Sequence, residues 1–299
     1  MEGEVVTNDI RRASLKELIS TRKCLRVMEA HSPLSALIAE NTKVETPLGM
    51  ASFDALWSSS LTDSTVRALP DNEILPVRTR LTAIQEMFDV TTKPLIVDGD
   101  SGGIAEHFGP LVRGLERAGV SAVIIEDKTG LKRNSLLGTD VVQHQEAIDV
   151  FCEKISAGKR AQMTSEFMIV ARIESLILDR GMADALERSH RYVEAGADAI
   201  MIHSRKRVPQ EVFEFAESFR RDHPDVPLVC VPTSYNEIHF DEFVRHGFNV
   251  VIYANHMLRA SYPAMKRVAE SILTRGCSSE ADDMCMSIDE ILSLIPGTR

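Results

Sequence analysis

The chain has 299 residues, 44% of them hydrophobic, and a formal net charge of −10 at pH 7. That is enough apolar material for a large buried core, in one large domain or two small ones. The acidic balance, with no basic stripe, argues against a nucleic-acid surface, and no apolar run approaches the length of a membrane span. An anionic ligand would therefore have to sit in a locally cationic pocket. Five scattered cysteines (Cys24, Cys152, Cys230, Cys277, Cys285) include no C-x-x-C pair. They point to reduced thiols rather than a disulfide framework or zinc site. The opening MEGEVVTNDIRR lacks an apolar signal region, so the expectation is a cytoplasmic protein.

Taken in order, the elements alternate. Residues 14–19 predict a leading helix with Ser14 as cap and Glu17 three residues on. Strand-like runs follow at 25–30, 55–57, 94–98, 120–125, 167–172, 199–203, 228–232 and 249–253. Between them fall helical stretches at 33–40, 79–87, 106–118, 141–154, 182–195, 210–221 and 240–246, and after them one at 261–274. Eight apolar runs separated by amphipathic helices predict parallel βα units closing into an α/β fold, a (β/α)8 TIM-type barrel. A doubly wound open sheet is the alternative, but no G-x-G-x-x-G follows the first strand. The expected organisation is one barrel domain over 1–299, with 276–299 as a C-terminal extension ending in a helix at 287–294.

Barrel chemistry collects at the C-terminal ends of strands. The fourth run, Val120–Ile125, stops abruptly in Glu126-Asp127-Lys128 and opens into the polar stretch Thr129–Ser135. The other strand ends offer Ser59, Ser60 and Leu61, then Asp98 and Asp100, then Arg172 and Glu174, then His203 and Arg205; Asp71 follows in Leu69-Pro70-Asp71-Asn72. A cluster of Asp71, Asp98, Asp100 and Glu126 suits Mg²⁺, or Mn²⁺, held by carboxylates and waters, and such a cation would relieve their mutual repulsion. Read singly, Asp98-Gly99-Asp100 is also an ordinary turn, and His203 equally a core histidine. Gly158-Lys159 lacks the spacing of a phosphate-binding loop.

Four segments together resemble the isocitrate lyase/phosphoenolpyruvate mutase superfamily, most closely its phosphoenolpyruvate mutase branch. They are Val97-Asp98-Gly99-Asp100; Glu126-Asp127-Lys128 with Lys132 and Asn134-Ser135; Ala171-Arg172-Ile173-Glu174-Ser175; and Met201-Ile202-His203-Ser204. The resemblance spans the whole barrel. It implies a homotetramer whose last barrel helix is exchanged between subunits, and a 2-oxo-acid or enolate ligand on Mg²⁺. It makes Asp98 the direct metal ligand, with Asp100, Glu126 and Asp71 acting largely through waters. Amides near Ser59, Ser60 and Leu61 would bind the substrate carboxylate and enolate oxygens; Ser60 stands where the family pattern Ser-Gly-Leu has glycine. Arg172 and His203 would bind the transferring phosphoryl group, and Lys132 and Asn134 lie on the segment resembling a gating loop, expected to be open without ligand.

The loop also separates branches of the superfamily. Its carbon–carbon lyases carry a cysteine acid in a Lys-Lys/Arg-Cys-Gly-His loop, whereas this chain has Lys132-Arg133-Asn134-Ser135. The resemblance thus implies interconversion of phosphoenolpyruvate and phosphonopyruvate. Phosphonopyruvate hydrolysis is the alternative, and a lyase or a non-catalytic oxo-acid sensor a more distant one.

Overall fold

The computed structural model describes residues 6–47 and 49–298. The first five residues of the stretch read as lacking a signal, and Arg299 of the extension, lie outside them. The chain divides into two compact units, one ending at Ala254 and the other beginning at Asn255.

In the first unit eight parallel strands close a barrel. They are β1 (Leu25–Glu29), β2 (Ala55–Ser58), β3 (Leu95–Asp98), β4 (Ala122–Glu126), β5 (Met168–Ile173), β6 (Ala199–Ile202), β7 (Leu228–Cys230) and β8 (Val250–Tyr253). Each strand pairs with its neighbour in sequence, and β8 returns to β1. Surrounding helices include α1 (Asn8–Thr21), α2 (Pro33–Asn41), α3 (Ser60–Thr65), α4 (Leu81–Phe88), α5 (Ala105–Arg117), α6 (Ile148–Ala161), α7 (Met182–Glu194), α8 (Gln210–Asp222) and α9 (Phe240–Arg245). The predicted (β/α)8 architecture is the observed one.

The interior is built from alternate residues of the strands. Val27, Ala55 and Trp57, Ile96, Ala122 and Ile124, Met168 and Val170, Ala199 and Met201, Val229, and Val250 and Ile252 form one buried cluster. A strand turns successive side chains to opposite faces, so this row is the inward one. Burying each Val, Ile or Met of this row contributes about 1.5–3 kcal/mol. The same row continues past the apolar core. Two residues beyond Ile96 lies Asp98, beyond Ile124 Glu126, beyond Val170 Arg172, and beyond Met201 His203. The alternation that fills the core thereby aims these polar groups at the mouth.

The structure departs from the sequence reading chiefly at helix starts and in one hairpin. The leading helix starts at Asn8 with Thr7 as cap, and Ser14 lies inside it, its Oγ donating to the Arg11 carbonyl at 2.8 Å. Its first turns bury arginines, Arg11 donating to Thr91 O (2.6 Å) and Arg12 to Glu116 O (2.9 Å), which hides the apolar periodicity. The helix expected at 141–154 begins only at Ile148, because His144–Gln145 pairs antiparallel with Lys128–Thr129. An unexpected hairpin joins Lys43–Thr46 to Gly49–Ser52.

The second unit holds α10 (His256–Arg275), which starts five residues earlier than predicted, and α11 (Ile288–Leu294), capped by a Ser287–Glu290 capping box. Among the described residues none in α10 is buried, and Tyr262, Met265 and Leu273 are strongly exposed. No helix of the described residues is long and apolar enough to cross a membrane.

Candidate active site

The mouth of the barrel is a buried field of charge. Asp98, at the end of β3, accepts from the Ser60 hydroxyl (2.8 Å) and Ser60 amide (3.3 Å) on Oδ2, and from the Asp100 amide (3.1 Å) on Oδ1. From below, the buried Arg80 guanidinium donates to the Asp98 carbonyl and pairs with Asp63 at 3.2 Å, whose Oδ2 accepts from Ser58 at 2.6 Å. Gly99 makes the turn possible, since a Cβ there would meet Val123 at 2.6 Å. The next residue, Asp100, has φ 55°, a left-handed backbone that aspartate tolerates better than most residues.

Lys132 closes over these carboxylates. Its ammonium donates to Ser60 Oγ (2.5 Å), Asp71 Oδ1 (2.8 Å) and Asp100 Oδ1, and its side chain is 6% exposed. The sequence reading expected an open loop; the structure shows it closed, because three oxygens receive one cation. On the far side, Glu126 lies opposite Arg172 in the β4–β5 register. Arg172 pairs with Glu174 (2.6 Å) and Glu126 (3.4 Å), and donates to Ser135 Oγ (2.7 Å) and to His203 Nδ1 (2.9 Å). Lys128 adds ion pairs to Glu126 (3.2 Å) and Glu174 (3.6 Å), and its ammonium donates to Ser135 Oγ at 2.9 Å.

Burial and neighbouring charge set the protonation states. Burial pushes Asp98 up, but Lys132, Arg172 and Arg80 together bring it down to about 2. Burial dominates at Asp100, pushed up to about 6, and at Glu126, pushed up to about 7. Glu174 is buried too, yet Arg172 holds it well below the usual carboxylate range. Burial, reinforced by the Arg172 charge, lowers His203, so the ring is neutral at pH 7. Its Nδ1 lies 2.9 Å from the Arg172 guanidinium and 3.3 Å from Glu174 Oε1, so a neutral ring sits between a fixed cation and a buried carboxylate.

The donor set suits a hard divalent cation. Asp71, Asp98, Asp100, Glu126 and Glu174 converge on this mouth, with Lys128, Lys132 and Arg172 as the cations whose side chains pair with them, so carboxylates outnumber the ion-pairing cations. Glu126 Oε1 and Glu174 Oε2 are buried with no hydrogen bond, each facing the Lys128 ammonium, at 3.2 and 3.6 Å. No three His, Cys, Asp or Glu among the described residues converge as a ready-made cage. That is compatible with Mg²⁺, which takes one or two carboxylates and keeps several waters.

Most predicted residues thus meet in one place: Ser60, Asp71, Asp98, Asp100, Glu126, Lys132, Arg172 and His203. Ser59 caps α3 and Leu61 is its second residue, at the same end of β2. Asn134 is half-buried on the same loop, directly before Ser135. Its Oδ1 accepts from the Leu136 amide (3.0 Å), capping the short 3-10 turn Ser135–Asp140, and it is Ser135 that touches Arg172. Sequence reasoning missed Lys128, Ser135 and Arg80 as parts of the site. Lys128 stands in the very Glu-Asp-Lys triplet that marked the loop, whereas nothing local marks Arg80.

The chain matches the family model described as phosphoenolpyruvate phosphomutase over residues 15–273. It is 36% identical to a phosphonopyruvate hydrolase of Variovorax sp. (strain Pal2), covering 94% of this chain and 93% of that one. It is also 36% identical to a phosphoenolpyruvate phosphomutase of Tetrahymena pyriformis, over 86% and 82% of the two chains. Among solved structures it resembles phosphonopyruvate hydrolase in complex with oxalate and Mg²⁺, with a TM-score of 0.83, 33% identity, and coverage of 95% and 94%. With a closed parallel barrel and a match across most of its length, this chain belongs to the phosphoenolpyruvate phosphomutase family and is an enzyme of the phosphoenolpyruvate mutase/isocitrate lyase superfamily.

Proposed function

We propose that this protein interconverts phosphoenolpyruvate and phosphonopyruvate by intramolecular phosphoryl transfer, the carbon–phosphorus bond-forming step of phosphonate biosynthesis. The observation that carries the reading is the facing arrangement of two buried groups under a closed loop. On one side lie the carboxylates Asp98, Asp100 and Glu126; on the other lies the Arg172, His203 and Ser135 cluster. In the direction from phosphonopyruvate, the bond from phosphorus to the methylene carbon breaks and a bond from phosphorus to the enol oxygen forms. Nothing enters or leaves.

Asp98, with Asp100 and Glu126, would hold Mg²⁺, or Mn²⁺, which when bound supplies positive charge where the enolate and carboxylate oxygens gather. The Ser59–Leu61 segment would orient the substrate carboxylate. Arg172 carries permanent charge and His203 offers a neutral N–H, so together they would steady a metaphosphate-like group through its passage. Asn134 and Ser135 would cover that group without titrating. Lys132 would keep the tip closed over Asp71 and Asp100 and keep water out. The absence of a cysteine in the loop sequence disfavours a lyase. The further expectation is a cytoplasmic homotetramer with α10 exchanged between subunits, supported by the uncovered apolar side chains of α10.

A second reading, hydrolysis of phosphonopyruvate to pyruvate and phosphate, is favoured by the equal similarity to the Variovorax hydrolase. A phosphorus NMR time course with phosphonopyruvate and Mg²⁺ decides between them. Accumulation of phosphoenolpyruvate is the expected result. Phosphate as the main product from the first turnovers would establish the hydrolase, and binding with no turnover would leave only a sensor.

A further inference from the structure

Of the loop-tip residues 129–133, all described, only Lys132 is buried; Thr129, Gly130, Leu131 and Arg133 are exposed, Leu131 at 59%. The tip therefore has no apolar anchor: between the Thr129–His144 pairing at one end and the Arg133 carbonyl at the other, it is held through the Lys132 ammonium. The two roots are secured independently. At one, Lys128 donates to Arg133 O (2.8 Å), Ser135 Oγ and Gln143 Oε1 (2.9 Å). At the other, Arg205 donates to Thr139 Oγ1 (3.0 Å) and lies across Gly138, where a Cβ would collide with the guanidinium.

Of the three oxygens that receive Lys132, Ser60 Oγ differs in kind. A hydroxyl has one proton, and that of Ser60 goes to Asp98 Oδ2 at 2.8 Å; its lone pairs face the ammonium at 2.5 Å. One neutral group, 5% exposed, thus couples the carboxylate ending β3 to the loop tip. Glycine at this position could make neither bond.

We propose that Ser60 is a positioning residue: its hydroxyl latches the loop tip through Lys132, so the loop of this chain rests closed before any ligand binds. The inference takes from the proposed function only the idea that the loop covers the reacting groups, and its test needs no substrate. The probe is limited trypsin digestion of the intact protein, metal and ligand absent, with cleavage after Lys132 and Arg133 quantified by mass spectrometry. When reclosing is fast, cleavage tracks the open population, so losing one hydrogen bond to a charged group in Ser60→Ala should speed it about tenfold. Ser60→Thr, which keeps the hydroxyl, should restore protection. In a Lys132→Met background, cleavage after Arg133 should be fast and insensitive to Ser60→Ala, which a general loosening of the barrel would not reproduce. Unchanged cleavage in Ser60→Ala overturns the latch, as does an equal acceleration in the Lys132→Met background. Failure of the unmodified protein to turn over phosphonopyruvate would instead overturn the proposed function and leave the latch standing.

Discussion

Arg172 is the hinge of the site's electrostatics, and removing it has a calculable cost. Its guanidinium lies 2.6 Å from Glu174 and 3.4 Å from Glu126, whose side chains are 0% and 3% exposed. In Arg172→Met both carboxylates would share Lys128 alone, at 3.2 and 3.6 Å. Breaking a buried pair from one side costs about 3–5 kcal/mol, because the surviving charge stays out of water. For a chain of this size each kcal/mol is worth roughly 2–4 °C, so the melting temperature should fall by about 10 °C. The double variant Arg172→Met/Glu174→Met removes both charges while roughly conserving volume and leaves Glu126 paired with Lys128. It should recover at least half of the loss. Thermal and urea unfolding followed by circular dichroism, with chelator present, measures both quantities. A cost below about 1 kcal/mol for the single variant would refute the reasoning, since that is the value of an exposed pair. So would a double variant no more stable than the single one.

Asp98→Ala should abolish metal-dependent turnover of phosphonopyruvate while the far-ultraviolet spectrum stays native; activity at ordinary Mg²⁺ would remove Asp98 from its assigned role. Glu126→Gln should become progressively more stable than the unmodified protein between pH 5 and 8. Burial raises Glu126 from 4.5 to about 7, so its favourable contribution is complete below the ordinary value and is lost as pH climbs through the folded one. A melting-temperature difference that stays flat over that range contradicts this. Asn134→Ala should slow the phosphoryl shift and raise the share of phosphate among products, read by phosphorus NMR, because the carboxamide that caps the Ser135 turn is gone. An unchanged rate and product ratio would take Asn134 out of the mechanism.

The strands could be read from the chain because each is a short apolar run ending in a charge, and the charges fall on the same alternating row as the core. Asp98 follows Ile96 and Glu126 follows Ile124 by two residues, a local periodicity that needs no tertiary knowledge. The loop was harder. Thr129–Ser135 looks like a solvated surface stretch, yet Lys128, Lys132 and Ser135 are buried. Their burial comes largely from partners as far as 72 positions away in sequence, and no local pattern encodes those. For the same reason the contact between Ser135 and Arg172, 37 positions apart, has no local signal. The late start of α6 has a related cause, since residues before it are consumed by the ladder between His144–Gln145 and Lys128–Thr129.

Trp57 is the chain's single tryptophan, 3% exposed in the barrel interior and one residue before the Ser58–Asp63 hydrogen bond. Its indole N–H is buried without a hydrogen bond, so the ring is surrounded by little that could relax around its excited state. Excitation at the red edge of protein absorbance therefore interrogates one chromophore, lodged in the floor beneath the reacting groups. Any event that repacks that floor should therefore register in the unlabelled protein as a change in one emission, with neither a coupled assay nor an introduced dye.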